Sequence, residues 1–400
     1  MLLLGNCNDH LKEIKDNSID LLLTDPPYAL TSKSYGEGNH KGGFMGKDWD
    51  KALVSVETWR ECYRVLKQGK LAFIMSSPRQ DVLSRMIINL EDAGFRTNYS
   101  SIYHTFASGF PKAKNNHDGS FTGAQFKPAV EVILVVSKGK TLTWLDDCRI
   151  PYQSEDDRIE GQSARTSLAR GHAKFYEGGF SATDRSDRSD IKGRFPANLL
   201  VSDDCLNDGR VLKSSPLGFK GEVFPPSKGW NNHHMVRVPN KYNDEGSYSR
   251  YFSLDQWWAK TFPFLIVPKA SKQEKNKGCE SLPLVSMTHT TNMKCANCGL
   301  WILSGTHESC KCEVKKEVGH QAQNHHPTVK PIKLMSYLIT MGSREGDLVL
   351  DPFCGSGTTL LAAHQLHRKY LGIELNPEYA QIIKKRMLEV QAQLKLTVFS

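Results

Sequence analysis

The sequence contains no long hydrophobic run and no internal repeat, and these absences narrow the class of protein. No stretch approaches the roughly 18 consecutive apolar residues that a membrane-spanning helix needs. The first residues, MLLLGNCNDH, have neither a basic leader nor a long apolar segment, so no signal peptide is predicted. We therefore expect a cytoplasmic protein that has no membrane partner.

The composition is also without extremes. Hydrophobic residues make up 39% and charged residues 24% of the 400 positions, which is typical of a globular protein. These fractions exclude a wholly disordered chain, a collagen and a coiled coil. A chain of this length is expected to form two or three modules. Its formal net charge of +9 fits a polyanionic partner such as nucleic acid, although basic enzymes of other kinds share this property.

Both ends of the chain alternate between the patterns of strands and helices. Short apolar runs predict strands, and apolar positions at helical spacing predict helices, the first of which should end at Gly69. The predicted strands are 19–23, 71–76, 130–137, 347–351 and 370–374, and the predicted helices are 55–68, 80–94, 331–341, 360–368 and 377–394. This alternation predicts an α/β fold with a Rossmann-like, doubly wound and mostly parallel sheet. Both ends should contribute to it.

The middle of the chain has a different character. Residues 151–270 are rich in Arg, Ser, Gly, Asp and aromatic residues and show weak periodicity. Their charges allow a solvated insertion, whereas their aromatic residues favour a folded surface. We therefore predict two halves of one α/β domain, 1–150 and 325–400, separated by an inserted region, 151–270, and a connector, 271–324.

A glycine-rich turn follows the predicted strand 347–351. Its glycines allow a close approach of the backbone to a ligand, and the next helix presents free N–H groups to a carboxylate or phosphate. Glu374 ends the following strand, where a carboxylate can accept both hydroxyls of a ribose. The third glycine of a dinucleotide motif is absent, which counts against NAD. With Asp351 available for an ammonium group, the pattern indicates S-adenosylmethionine.

The tetrapeptide Asp25, Pro26, Pro27 and Tyr28 ends the first apolar strand. Two consecutive prolines cannot continue a central strand, and an Asp–Pro step can be a purely structural turn. The tetrapeptide also suits chemistry on an aromatic amino group, which is a poor nucleophile unless acceptors hold its N–H bonds. The carboxylate of Asp25 and the carbonyl of Pro26 are such acceptors, and the ring of Tyr28 can stack on a base.

Several segments in one order resemble the amino-methyltransferases of DNA, which make N6-methyladenine or N4-methylcytosine. They are DPPY at 25–28, HPTVKP at 326–331, DPFCGSGTT at 351–359 and GIELNPEYA at 372–380. The tetrapeptide precedes the glycine turn by more than three hundred residues. This order is similar to that of the permuted beta group, whose target-recognition region lies between its two halves. The resemblance covers roughly 1–150 and 325–390.

The resemblance implies a permuted methyltransferase fold with a seven-stranded, mostly parallel sheet, in which 130–137 is a candidate antiparallel strand. It implies a target-recognition role for 151–270. Asn6 stands where the family usually has Asp, so its contact with the cofactor adenine loses a charge. The implied catalytic residues are Asp25, Pro26, Pro27 and Tyr28, and the expected cofactor-binding residues are Asn6, Lys330, Asp351, Phe353, Gly355, Gly357, Thr358 and Glu374.

The resemblance further implies a double-stranded DNA substrate from which the target base is flipped out. Because the tetrapeptide begins with Asp instead of Ser, adenine N6 is favoured over cytosine N4 as the target. A non-catalytic, zinc-containing nucleic-acid-binding protein and a methyltransferase of RNA or of a protein amide are the alternatives. A homodimer, a cognate endonuclease and a bacterial or phage origin stay open.

Four of the ten cysteines are clustered, at Cys295, Cys298, Cys310 and Cys312. Four thiolates on two tight turns can close a tetrahedral zinc site without an open coordination position. We therefore predict a structural zinc knuckle in the connector, although the second pair has one intervening residue in place of the usual two. Free thiols on a loop are the alternative.

Overall fold

The structure is a computed structural model. It describes residues 1–29, 52–105, 129–152 without 142 and 144, 193–202, 251–261, 272–283 and 320–398, together with short segments between 114 and 302. The chain divides into two compact units. The first comprises Met1–Tyr103, Val130–Trp144 and Ile266–Ser400, and the second comprises His104–Ala129 and Leu145–Leu265.

The first unit contains a mixed sheet and the helices that cover it. Its main strands are β1 (Leu2–Leu4), β2 (Ile19–Thr24), β3 (Leu66–Ser76), β4 (Val130–Ser137), β5 (Leu348–Asp351) and β6 (Lys369–Glu374). Its helices are α1 (Cys7–Glu13), α2 (Val56–Val65), α3 (Gln80–Asp92), α4 (Lys272–Asn276), α5 (Ile332–Gly342), α6 (Thr358–Gln365) and α7 (Pro377–Val398). Two short antiparallel pairs join Val285–Met287 to His320–Ala322 and Met293–Lys294 to Trp301–Ile302.

Within the first unit the strands follow the order β1-β6-β5-β2-β3-β4. All adjacent pairs are parallel except the last, in which β4 runs antiparallel to β3. The predicted α/β sheet is therefore confirmed, and 130–137 is an antiparallel strand in it, as the resemblance implied. Strand β5, from the end of the chain, lies between β6 and β2, with Leu350 opposite Leu22. Both ends of the sequence thus build one sheet.

Helices cover both faces of this sheet, as consecutive residues of β2 demonstrate. Leu22 belongs to a buried cluster that includes Trp59 of α2 and Met86 of α3. Leu21 points to the opposite face, as successive strand residues do. There a Cβ added to Gly342 of α5 would lie 2.6 Å from Leu21, so the helix packs directly on the strand. The strand is buried on both sides, which explains why its sequence is mostly apolar, with three leucines in succession at 21–23.

One predicted boundary is wrong. Gly69 was expected to end a helix over 55–68, but α2 ends at Val65 and β3 begins at once with Leu66. Gly69 lies inside β3 with φ +74°, a left-handed conformation that favours glycine. The pairing of β2 with β3 shifts here, from Ile19 opposite Leu66 to Leu21 opposite Leu71. A glycine in a strand pattern therefore marks an irregularity of the sheet, not a helix end.

The second unit consists of short elements. Its antiparallel pairs join Lys114–Asn115 to Phe121–Thr122, Leu212–Lys213 to Glu245–Gly246 and Leu217–Gly221 to Met235–Pro239. It also contains a 3-10 helix, Asp146–Cys148, a strand, Leu199–Val201, and a helix, Leu254–Thr261, while the strand Ile102–Thr105 leads into it. The buried Trp257 donates a hydrogen bond of 2.8 Å to the carbonyl of Asp147. The aromatic residues described here thus contribute to folded structure.

Among the helices that the structure describes, none is both long and apolar enough to cross a membrane.

Candidate active site

A pocket of about 310 Å³ lies at the carboxyl ends of β1, β6, β5 and β2. Parallel strands bring their carboxyl ends to one edge of the sheet, which is the usual place of ligand sites in open α/β sheets. Most of the predicted site residues line this pocket, whereas Gly357 is not among the lining residues. The predicted residues that line it are Asn6, Asp25, Pro26, Pro27, Tyr28, Lys330, Asp351, Phe353, Gly355, Thr358 and Glu374.

The glycine turn between β5 and α6 fits closely against its surroundings. Gly355 has φ +54°, and a Cβ on it would lie 2.5 Å from Nε2 of His326. Gly357 has φ +79° and is the N-cap residue of α6. A Cβ there would lie 2.9 Å from Ile383, so this glycine faces α7. The two glycines thus serve different contacts, the first at the pocket and the second in the packing beneath it.

Glu374 ends β6 with its carboxylate held by the backbone. The N–H of Gly355 donates to Oε2 at 2.7 Å, and the N–H of Asn376 donates to Oε1 at 2.8 Å. Burial raises the pKa of Glu374 to about 7, although these two donors act in the opposite direction. The carboxylate is therefore fixed in place and changes its charge near neutral pH.

Asp351 ends β5 and links the turn to β2. The hydroxyl of Thr24 donates to Oδ1 at 2.6 Å, and the N–H of Phe353 donates to the same oxygen at 3.1 Å. Burial raises the pKa of Asp351 to about 6, and these donors oppose the rise. Sequence reasoning did not identify Thr24, since a threonine at a strand end carries no motif by itself.

At the end of β2, Asp25 lies at the centre of a polar network. Tyr28 donates its hydroxyl hydrogen to Oδ1 of Asp25, and the ammonium of Lys330 donates to Oδ2. The same ammonium lies 3.5 Å from Oε1 of Glu131 on β4. Burial raises the pKa of Asp25, whereas Lys330 lowers it and Glu131 raises it.

Lys330 is buried, being 7% exposed. Burial alone disfavours its charge, but Asp25 and Glu131 outweigh that effect and raise its pKa to about 12. Its ammonium therefore contacts two carboxylates of the protein, whereas the sequence analysis expected it to bind the cofactor. That assignment stays a prediction. Glu131 was missed because it lies outside every motif.

Two further predicted residues contribute to the wall of the pocket. Asn6 caps α1, since its Oδ1 accepts the N–H of Asn8 at 2.9 Å. Phe353 packs edge-on against Trp59, with 6.2 Å between the ring centroids. Among the residues that line the pocket and were not assigned to it, His326 and Tyr379 contact each other edge-on at 4.6 Å. His326 belongs to HPTVKP, which was interpreted as a motif without a role for each residue.

The predicted zinc ligands Cys295, Cys298, Cys310 and Cys312 lie outside the described residues. In the part of the chain that the structure describes, no group of three or more His, Cys, Asp or Glu side chains could hold a metal ion. The zinc knuckle therefore stays a prediction.

We expect Gly372→Ala to lower the free energy of unfolding of the protein by about 1–3 kcal/mol, because overpacking of a filled core has this cost. A Cβ on Gly372 would clash with Sγ of Cys354 and would lie 2.7 Å from a methyl group of Leu360. Urea unfolding measures this loss of free energy of unfolding. In Gly372→Ala/Cys354→Ala the loss should be smaller than the sum of the two single losses. Additive losses would contradict the clash as its cause.

Comparison with known proteins gives matches that are short but have sequence identities of 40% or more. A stretch of 75 residues is 44% identical to the type II methyltransferase M2.MboI of Moraxella bovis, covering 19% of this chain and 28% of that protein. A stretch of 74 residues is 40% identical to M.HindIII of Haemophilus influenzae, covering 18% of this chain and 24% of that protein. The chain thus spans less than a third of the length of these curated relatives.

Among solved structures, the PvuII DNA methyltransferase (cytosine-N4-specific) is 16% identical, with a TM-score of 0.45. The alignment covers 96% of this chain and 85% of that chain. A family model of the N6/N4 type, described as DNA methylase, matches residues 19–385. Because this match spans most of the 400 residues, the chain belongs to the N6/N4 DNA methylase family.

Proposed function

We propose that this protein transfers the methyl group of S-adenosylmethionine to an exocyclic amino group of a DNA base, with adenine N6 as the target. One observation carries the proposal: the tetrapeptide that begins at Asp25 and the glycine turn around Gly355 line the same pocket. The first supplies acceptors for an amino group, and the second supplies a cradle for a nucleoside. Membership of the N6/N4 DNA methylase family supports both assignments.

The residues of the pocket fit S-adenosylmethionine, which supplies an electrophilic methyl group when it is bound. Each oxygen of Glu374 accepts one backbone N–H, and a carboxylate has further lone pairs for the two ribose hydroxyls. A Cβ on Gly355 would fill space beside His326, so the glycine keeps the cradle open. We assign the ammonium group of the cofactor's methionine part to Asp351, and its carboxylate to the N-terminus of α6.

Asp25 is the residue that we assign to the amino group of the base. Its carboxylate accepts an N–H bond and thereby orients the nitrogen lone pair out of the plane of the base. With S-adenosylmethionine bound, the nitrogen would take the methyl group as the methyl–sulfur bond breaks, and the carboxylate of Asp25 would accept the surplus proton. Burial raises the pKa of Asp25 and so favours its acceptance of this proton. Tyr28 offers a ring on which the base can stack.

Adenine is the proposed target because the tetrapeptide begins with Asp25, whereas Ser is more typical of the cytosine-N4 enzymes. A duplex hides the amino group of either base, so the proposal includes extrusion of the target base from the stack. The region 151–270 is the proposed reader of the DNA sequence, since its Arg, Lys, Asn and aromatic residues suit contacts with bases and phosphates.

Methyl transfer from labelled S-adenosylmethionine to unmethylated genomic DNA, followed by mass spectrometry of the nucleosides, tests the proposal. We expect N6-methyladenine. N4-methylcytosine would preserve the reaction and overturn the choice of base. A protein that binds the cofactor but modifies neither base would favour a non-catalytic DNA-binding role or another acceptor, and parallel assays with RNA and protein would separate these.

We also propose the structural zinc ion on Cys295, Cys298, Cys310 and Cys312. We expect elemental analysis of the purified protein to find about one zinc per chain, since four thiolates complete a closed tetrahedral site. Cys295→Ser should lose this zinc, whereas Cys205→Ser, outside the cluster, should retain it. A freshly purified natural protein without zinc would contradict the site.

A further inference from the structure

One acidic side chain at the active site comes from outside every sequence motif. Glu131 is the second residue of β4, and because β4 is antiparallel, its beginning lies at the edge where the parallel strands end. Val132 pairs with Ser76, the last residue of β3. In the strand order, β4 and β6 lie on opposite sides of β2, so Glu131 and Glu374 approach the end of β2 from opposite directions. Topology, not sequence proximity, brings Glu131 there.

The ammonium of Lys330 is shared by two carboxylates from two different strands. It donates to Oδ2 of Asp25 and lies 3.5 Å from Oε1 of Glu131. The side chain of Glu131 is about a quarter exposed, whereas that of Lys330 is 8% exposed. Two carboxylates and one ammonium leave a net negative charge, while Asp25 and Lys330 alone would form a neutral pair. Neutral pairing would weaken Asp25 as an acceptor.

We propose that Glu131 is a positioning residue for methyl transfer, which holds part of the Lys330 charge so that Asp25 can accept the amino proton. This inference rests on the proposed function and deepens it. Glu131 does not need to touch the base, because it acts through the ammonium of Lys330. Its effect is to keep the carboxylate of Asp25 basic in a buried position.

The electrostatic surroundings of Asp25 support this role. The titratable groups that face it are Lys330, Glu131, the hydroxyl of Tyr28 and the carboxyl of Asp351. Of these, Lys330 lowers the pKa of Asp25 and Glu131 raises it. Removal of the Glu131 charge should therefore shift the ionisation of Asp25 to lower pH and reduce its basicity. A merely structural glutamate would leave this ionisation in place.

The test is the pH profile of single-turnover methyl transfer by Glu131→Gln, with the exposed Glu91→Gln as a control of equal charge change. We expect the rate of Glu131→Gln on the plateau to fall by about tenfold or more, since general-base catalysis follows basicity. We also expect its acidic limb to move to lower pH. In Glu131→Asp the acidic limb should return to its position in the natural protein, because aspartate retains the negative charge. Cofactor affinity and melting temperature, measured alongside, report on folding.

A second readout needs no cofactor. In protein labelled with ¹⁵N-lysine, the buried ammonium of Lys330 should give an NMR signal that is absent in Lys330→Arg and shifted in Glu131→Gln. If the natural protein transfers no methyl group in the assay, that result would contradict the proposed function and this inference with it. An active natural protein whose pH profile and Lys330 signal are unchanged in Glu131→Gln would contradict the inference alone.

Discussion

Asp25→Ala should lose methyl transfer by about 10³-fold, the scale on which loss of a preorganised group at a reacting centre acts. Its cofactor affinity should stay close to that of the natural protein, because Glu374 and the glycine turn lie on other strands. The methyl-transfer rate of Asp25→Asn should lie between those of Asp25→Ala and the natural protein, since the amide oxygen still accepts a hydrogen bond but carries no charge. Single-turnover assays and calorimetry with the cofactor measure the two properties separately.

The matched control for this prediction is Asp92→Ala, which removes an exposed carboxylate at the end of α3. It should leave both properties unchanged. Melting temperatures are needed because Asp25→Ala removes one of the two carboxylates that, among the described residues, contact the buried ammonium of Lys330. Equal losses of cofactor affinity and methyl transfer in a folded Asp25→Ala protein would contradict the assignment of Asp25 to the base.

Glu374→Gln should lower cofactor affinity by about 10- to 100-fold at pH 8, since hydrogen bonds to a charged group contribute about 1.5–3 kcal/mol. The glutamine would also direct its NH₂ group at the backbone N–H of Gly355 or Asn376, because each carboxylate oxygen of Glu374 accepts one of these bonds. Calorimetric titration with S-adenosylmethionine measures the loss. The exposed Glu345→Gln is the control and should bind normally.

The pH dependence of this contact has a definite sign. The pKa of Glu374 is raised to about 7, so the charged acceptor forms above that pH, and the cofactor affinity of the natural protein should rise between pH 6 and 8. Without cofactor, Glu374 holds its proton to higher pH in the folded protein than in the unfolded chain, so the stability that this proton contributes is lost as pH rises from 4.5 through 7. The pH dependence in Glu374→Gln should be weaker for both quantities. An equal rise of affinity in that variant would contradict the role of Glu374.

The sequence predicts much of the sheet because its central strands are buried on both faces and therefore mostly apolar. The run from Ile19 to Leu23 lies within β2, and the run 130–137 has the bounds of β4. Residues at the carboxyl ends of parallel strands, such as Asp25, Asp351 and Glu374, are brought to one pocket as the strand pattern indicates. Local pattern and topology agree there.

The remaining features depend on contacts that no local pattern contains. Glu131 looks like an ordinary polar residue at the start of a strand, and only the antiparallel direction of β4 brings it to Lys330. Lys330 was expected to bind the cofactor, and no local pattern indicated that its buried ammonium also contacts Asp25 and Glu131. Gly69 was misassigned because glycine ends helices and also permits irregular strands.

The interleaved order of the strands also sets when this protein can fold during its synthesis. The hydroxyl of Thr24 bonds to Asp351, 327 residues later, and β5 separates β2 from β6. The strand β2 is therefore made more than three hundred residues before β5, and the two cannot pair until β5 has left the ribosome. Contacts of such separation slow folding and expose apolar segments meanwhile.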